Sequence, residues 1–185
     1  MTLTQAALPT RSVLANTMLV LAGSILLAMS AQISVPMYPV PMTLQTLAVS
    51  MIGLAYGSRL GAATVLAYLA EGAMGLPVFS NGGAGLAYLM GPTSGFLFGF
   101  VGMAWLTGWL VERGFDRGFG KLFIAAFVPA LLLFVPGVGM LKLITGMDWQ
   151  AAAMAGMVPF LVGAVVKAVI AAMAIKGGWS FLDRR

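Results

Sequence analysis

The 185-residue chain has no cysteine and no histidine. The first absence removes disulfides and thiolate chemistry, and the two together remove the commonest metal ligands and the usual general base. Without cysteine the sequence carries no mark of redox compartment. Charge is also scarce, with five acidic and ten basic residues making up 8% of the chain. No phosphate-cradling GxxxxGK[ST] run is present, so any ATP must be hydrolysed by another chain. No pair of acids falls inside an apolar run and no zinc constellation is available, which leaves little for hydrolysis or phosphoryl transfer. These absences set an enzyme aside, with no metal and no bound cofactor expected.

Apolar side chains fill the space instead. Hydrophobic residues make up 61% of the chain and mean hydropathy is +1.00, a composition outside the range of soluble domains. At about 20 residues per span, the length allows roughly six helices and no separate soluble domain. The apolar spans run from about Val13 to Ala31, Pro41 to Tyr56, Leu60 to Leu76, Thr93 to Val111, Leu122 to Leu143 and Pro159 to Ile175. The expected fold is all-α, one polytopic membrane domain of six transmembrane helices. The second span is short, about 24 Å at ~1.5 Å per residue, and needs shielding by neighbours or extension by its flanks. Pro41 and Pro159 suit a first helical position, where the missing amide proton costs nothing. The Ala-rich DWQAAAMAG, Asp148 to Gly156, reads as a short helix at the interface. The N-terminal stretch lacks the basic start, short apolar core and cleavage site of a secretory signal, so the first helix is read as retained.

Lys and Arg are held on the cytoplasmic side of a bacterial inner membrane. With the N-terminus inside, Arg11, Arg59, Arg113, Arg117, Lys121, Lys176, Arg184 and Arg185 share that side; Lys142 lies near the other and Lys167 within a span. Both termini are therefore expected in the cytoplasm. The net charge of +5 reflects these flanks and gives no argument for nucleic acid. Two uncharged connections then face outward. One is QISVPMYPVPM, whose three prolines keep it extended or turned. The other is PVFSNGGAGLAYLMGP, Pro77 to Pro92, which carries Val78, Phe79, Leu86, Tyr88 and Leu89 among its glycines where a soluble loop would carry charge. Non-helical backbone at membrane depth is tolerated only where protein buries it or it lines a cavity. The segment is expected to be a lid or half-inserted loop, facing the proline-rich connection across a covered pocket.

Polar groups inside the spans are few. Lys167 lies about 12 Å into the last helix at ~1.5 Å per residue, where insertion costs about 2.5 to 3.5 kcal/mol, so something must receive it. Either its ammonium faces a pocket and meets a ligand oxygen, or it snorkels or pairs structurally, for instance with Glu71. Glu71 is the one carboxylate inside a span and reads equally as that partner or as a rim residue. Asn81 offers donors and an acceptor to a urea or amide edge, yet also suits a turn beside Gly82 and Gly83. Gln45 divides in the same way between pocket contact and interhelical hydrogen bond. Tyr68 and Tyr88 each offer a ring and a hydroxyl, as ordinary interfacial tyrosines do. The fourteen methionines read as adaptable packing. Gly53, Gly57, Gly61, Gly95 and Gly99 read as close-packing positions. Ser24 and Ala28, four apart on a smooth face of the first helix, either dock internally or meet another membrane protein.

Residues 40–100 resemble the signature region of the BioY family, the biotin-specific substrate-capture (S) components of energy-coupling factor (ECF) vitamin transporters. VPMTLQTLAV, GLPVF and GPTSGFLFGF occur in the family's order and spacing, and the six-helix plan extends the likeness over the whole chain. The resemblance implies a bundle that takes biotin from outside, coupled to a transmembrane T component and two ATPase subunits that this chain does not contain. It implies Asn81 and Lys167 as binding residues, Tyr88 less directly because loop spacing varies, and Ser24 with Ala28 as the contact to the T component. One departure matters: the last helix of the family usually reads Asp-x-x-Lys, and here the acidic position is Ala164. Weaker biotin binding than in relatives bearing the acid is expected, or compensation by a group such as Glu71. Two alternatives remain open, an S component for another vitamin or small solute, and a channel or carrier that works without partners. Self-association of the chain is left open as well.

Overall fold

The computed structural model describes residues 2–8 and 12–183; Arg11, Arg184 and Arg185, used above to orient the chain, lie outside them. The chain runs through α1 (Leu3–Ala7), α2 (Val13–Gln32), β1 (Ser34–Val35), β2 (Met42–Thr43), α3 (Gln45–Tyr56) and α4 (Ser58–Ala73). A 3-10 turn (Ser80–Gly82) follows, then α5 (Gly85–Leu89), α6 (Ser94–Glu112), α7 (Phe119–Leu132), α8 (Phe134–Thr145), α9 (Trp149–Gly156) and α10 (Phe160–Leu182). Among the described residues, four helical stretches are long and apolar enough to cross a bilayer: α2, α6, α7 with α8 (Phe119–Thr145), and α9 with α10 (Trp149–Leu182). Two expected spans are shorter. α3 has 12 residues and α4 has 16, because a single glycine turn separates them and a hairpin takes the residues before Gln45.

That hairpin corrects two expectations. β1 and β2 pair antiparallel, Ser34 opposite Thr43 and Val35 opposite Met42, so the fold is not helical throughout and Pro41 does not open a helix. Helix α3 begins only at Gln45, whose backbone N–H donates to Thr43 Oγ1 at 3.3 Å. The span expected from Leu122 to Leu143 is two nearly continuous helices, α7 and α8. Pro129 lies inside α7, where it removes one backbone bond and crowds the preceding turn. The short helix expected at Asp148–Gly156 forms as α9, with Asp148 Oδ1 accepting from Ala151 N–H at 2.7 Å as its N-cap.

Helix α6 lies at the centre, packed against α3, α4, α7 and α8. Small residues set these approaches, since lipid supplies no hydrophobic drive between helices and close packing must do so. A Cβ on Gly108 would lie 2.2 Å from the backbone of Gly57 and Ser58, and one on Gly95 would lie 2.2 Å from the Pro136 carbonyl oxygen. The outer surface is apolar, with Leu14, Met18, Leu21 and Ile25 of α2 all exposed, as suits a chain solvated by lipid tails.

Polar contacts gather at the two ends. At one, Gly57 turns the chain with φ +86, a conformation that favours glycine. The Glu112 carboxylate there accepts from Ser58 N–H and Ser58 Oγ–H, both at 2.8 Å, capping α4. Arg117 pairs with Asp183 at 2.9 Å and stacks over Trp179. At the other end the hairpin meets the 77–92 segment. Gln32 Nε2 donates to the Phe79 carbonyl at 3.0 Å, Gly82 N–H donates to Gln32 Oε1 at 3.1 Å, and Ser34 Oγ donates to Asn81 Oδ1 at 3.1 Å.

Candidate functional site

The 77–92 segment is less loop-like than its glycines imply. It contains the 3-10 turn and helix α5, and buries Phe79, Ser80 and Leu89 while Leu86 and Met90 stay exposed. Phe79 is fully buried, edge-to-face with Tyr68 at 5.5 Å and stacked on Tyr88 at 5.0 Å. Gly72 leaves room for that ring, since a Cβ there would sit 2.0 Å from Phe79 Cζ. Beneath it a chain of bonds ties hairpin to helices: Thr43 Oγ1 donates to Gln45 Oε1 at 3.0 Å, Gln45 Nε2 to Tyr68 Oη at 2.8 Å, and Tyr68 Oη to the Val78 carbonyl at 3.0 Å. These bonds fix the polar floor of a cavity.

This inner cavity measures about 70 Å³, walled by Phe96, Phe100, Phe134 and Phe160 and lined on its polar side by Thr43, Gln45, Thr46 and Lys167. Lys167 Nζ donates to the Thr43 carbonyl and, at 3.1 Å, to Thr46 Oγ1. Ala164, three residues earlier and so on the same helical face, also lines it. Above lies a wider cleft of about 530 Å³, formed by the proline hairpin, Asn81 and the start of α6. Pro41, Ser80, Tyr88 and Thr93 border both spaces and form a collar between them. Ser80 Oγ in this collar is buried beside the Tyr88 phenol, with no hydrogen bond of ordinary geometry among the described residues. Burial raises the Tyr88 phenol above its ordinary pKa, so at neutral pH it stays an uncharged donor.

Lys167, Ala164, Gln45 and Tyr88 thus converge on one cavity. Asn81 does not reach it: it borders the outer cleft, accepts from Ser34, and has the left-handed backbone (φ 56) of a turn residue. Glu71 lies elsewhere and does not pair with Lys167. Helix α4 packs chiefly against α6, α2 and α3, and the Glu71 carboxylate accepts from Ser24 Oγ at 2.8 Å. Ser24 is 1% exposed and Ala28 packs on the core, so this face of α2 is turned inward against α4. The sequence reading missed Thr43 and Thr46 as the groups that receive Lys167. Their signal was present in TLQT, a cluster of polar side chains opening an apolar span. The aromatic walls had none, since phenylalanine in a span is ordinary.

The inner cavity joins aromatic walls to one ammonium and a few neutral polar groups, and it opens through the collar to the outer cleft. A family model described as the BioY family matches residues 3–184. Among curated relatives, a biotin transporter BioY of Rhizobium etli is 39% identical over 83% of this chain and 87% of its own length. The biotin transporter BioY2 of Lactococcus lactis subsp. cremoris is 36% identical over 82% and 83%. The crystal structure of the S-component for biotin from an ECF-type ABC transporter shares the fold, with a TM-score of 0.80 over 90% of this chain and 93% of that one, at 20% identity. With the family model spanning nearly the whole sequence and relatives matching most of their own length, this chain belongs to the BioY family.

Proposed function

We propose that this chain captures biotin from outside the cytoplasmic membrane and delivers it for uptake as the S component of an ECF-type transporter. The carrying observation is the cavity itself: aromatic walls, a single ammonium at Lys167, and a collar that opens to a wider cleft. Biotin is apolar through its fused rings and valeryl chain and polar at its ureido and carboxylate ends, which matches that distribution. In this reading α2, α3, α4, α6, α7 with α8, and α10 form six membrane helices, α9 lies at the outer interface, and both termini face the cytoplasm of a bacterium. The 77–92 segment is the lid, Asn81 serves the outer cleft, and Lys167 with Gln45 and Tyr88 serves the inner site. A T component and two ATPase subunits supply the energy for release, and Ser24 with Ala28 meets the T component only if α2 shifts from α4.

Equilibrium binding of labelled biotin to the purified chain in lipid nanodiscs tests the reading. Saturable binding displaced by unlabelled biotin, and not by riboflavin or thiamin, is expected. A folded chain that leaves labelled biotin unbound overturns it, and displacement by another vitamin reassigns the solute. Vesicle uptake that needs no added T component or ATPases marks a self-sufficient carrier instead.

A further inference from the structure

We propose that the groove between α6 and the α7–α8 junction holds one acyl chain of an anionic phospholipid, whose headgroup phosphate meets Arg113. Neither Gly102, on the floor of the groove, nor Arg113 lines the inner cavity or the outer cleft, so the site is independent of biotin capture.

The groove opens where two helices part. A Cβ on Gly99 would lie 2.6 Å from Leu133 Cδ1, so α6 meets the α7–α8 junction there, whereas a Cβ on Gly102 would meet nothing within 4 Å. The slot is edged by Phe98, Trp105 and Leu106 of α6 and by Pro129 and Leu132 of α7. Phe98, Trp105 and Leu132 are half exposed, and no charged side chain borders the slot. Left void, a concave surface in hydrocarbon forfeits its contacts, and a flexible methylene chain restores them.

A stripe of side chains leads out of this slot and sets it apart from ordinary lipid contact. Phe98, Gly102, Trp105, Trp109 and Arg113 follow one another at intervals of four, three, four and four residues, so they share one face of α6. Trp105 stacks on Trp109 at 6.3 Å, and the Arg113 guanidinium lies over the Trp109 ring at 4.8 Å. Arg113 stands eleven residues beyond Gly102, about 16 Å along the helix. One leaflet of a ~30 Å hydrocarbon core has nearly that depth, so a chain that reaches Gly102 brings its phosphate level with Arg113. Tryptophan at that level sits among headgroups, as it prefers.

Charge selects the headgroup. Arg59, Arg113, Arg117, Lys121 and Lys176 gather at this end of the bundle, against Glu112, Asp116 and Asp183. Of these acids, Glu112 is turned to Ser58 and Asp183 to Arg117. An anionic lipid answers the excess of positive charge, whereas a zwitterionic headgroup brings a cation of its own and gains less.

The test reads contact through Trp105 and Trp109. A parent chain carrying Trp149→Phe, which removes the exposed reporter of α9 and leaves Trp179 buried, is placed in nanodiscs of phosphatidylcholine and phosphatidylglycerol. Chain-brominated lipid of one class at a time, in equal amount, quenches the tryptophans it touches. Brominated phosphatidylglycerol is expected to quench as though enriched about fivefold over brominated phosphatidylcholine. Arg113→Gln brings that ratio below about twofold. Lys176→Gln removes the same charge from α10, which packs on α7 and α3, and keeps the ratio above about threefold. Gly102→Leu fills the slot, in space that is open in the fold, and lowers quenching by the anionic lipid about twofold or more. Equal quenching by the two lipids in the parent chain overturns the proposal. So does a Lys176→Gln effect as large as that of Arg113→Gln, which marks diffuse attraction, or a Gly102→Leu chain quenched like the parent. Quenching by neither lipid overturns it as well, and makes a protein surface such as a second copy of this chain the occupant of the groove.

Discussion

Replacing Gly72 by alanine acts on the binding site without touching it. The new Cβ would lie 2.0 to 2.5 Å from three ring carbons of Phe79. To reach ordinary contact at 3.4 Å the ring must retreat by about 1.4 Å. It has nowhere to retreat within its seat, being fully buried between Tyr68 and Tyr88. Overpacking of this kind costs about 1 to 3 kcal/mol. Helix α4 is anchored along its length, whereas Phe79 belongs to a short connection, so the connection yields first. Tyr88 moves with it, because it is stacked on the same ring, and the collar loses its shape. The cost then appears as a lower population of the binding-competent loop, which raises the apparent Kd by about tenfold, within a range of roughly 5- to 150-fold. Isothermal titration with biotin measures this, and Phe79→Leu in the Gly72→Ala background is expected to restore part of the affinity by reopening the space. Wild-type affinity in Gly72→Ala, with unchanged amide exchange over residues 77–92, would refute the claim that Phe79 seats the lid.

How far the sequence reaches can be judged from particular residues. Lys167 was expected inward because an ammonium in an apolar helix must find acceptors, and it lines the cavity. The close-packing role of Gly95 was equally legible, since small residues recur where helices meet without side chains between them. Partner choice was not legible. Glu71 and Lys167 are an acid and a base each alone within a span, which suggested a pair; their helices are kept apart by tertiary arrangement, and Ser24 takes the carboxylate instead. Pro41 looked like a helix start because local propensity says nothing of β1, seven residues earlier, to which Met42 and Thr43 pair. Helix α5 escaped notice because Gly85 breaks the pattern, although its φ of +82 lets the chain turn into the helix. The division of the site into two spaces depends on the seating of Phe79 and Tyr88, which no spacing encodes.

Other perturbations separate stability from binding. Lys167→Met is expected to weaken biotin binding by about tenfold or more, because it removes the one charged side chain that lines the cavity among the described residues, read by equilibrium dialysis; a change under about threefold would show that the ammonium is not a ligand contact. Gln45→Leu breaks the link from Thr43 to Tyr68 and is expected to cost about 1 to 3 kcal/mol by leaving buried polar groups unpaired, seen as a lower midpoint in thermal unfolding followed by intrinsic fluorescence. Glu112→Ala lies at the far end of the bundle and removes both acceptors that cap α4. Each bond involves a charged oxygen, so stability falls by about 2 to 4 kcal/mol, while the biotin Kd stays unchanged because no atom of Glu112 lies near the cavity. That separation is itself diagnostic: a Glu112→Ala chain that remains folded yet loses biotin affinity would mean that the turn between α3 and α4 communicates with the site. Two helices join these ends, α3, which carries Gln45 and Thr46 and runs into the turn at Gly57, and α6, which carries Phe96 and Phe100 of the cavity wall and ends at Glu112 itself, so such a result would make the packing of α3 on α6 the element that both ends share.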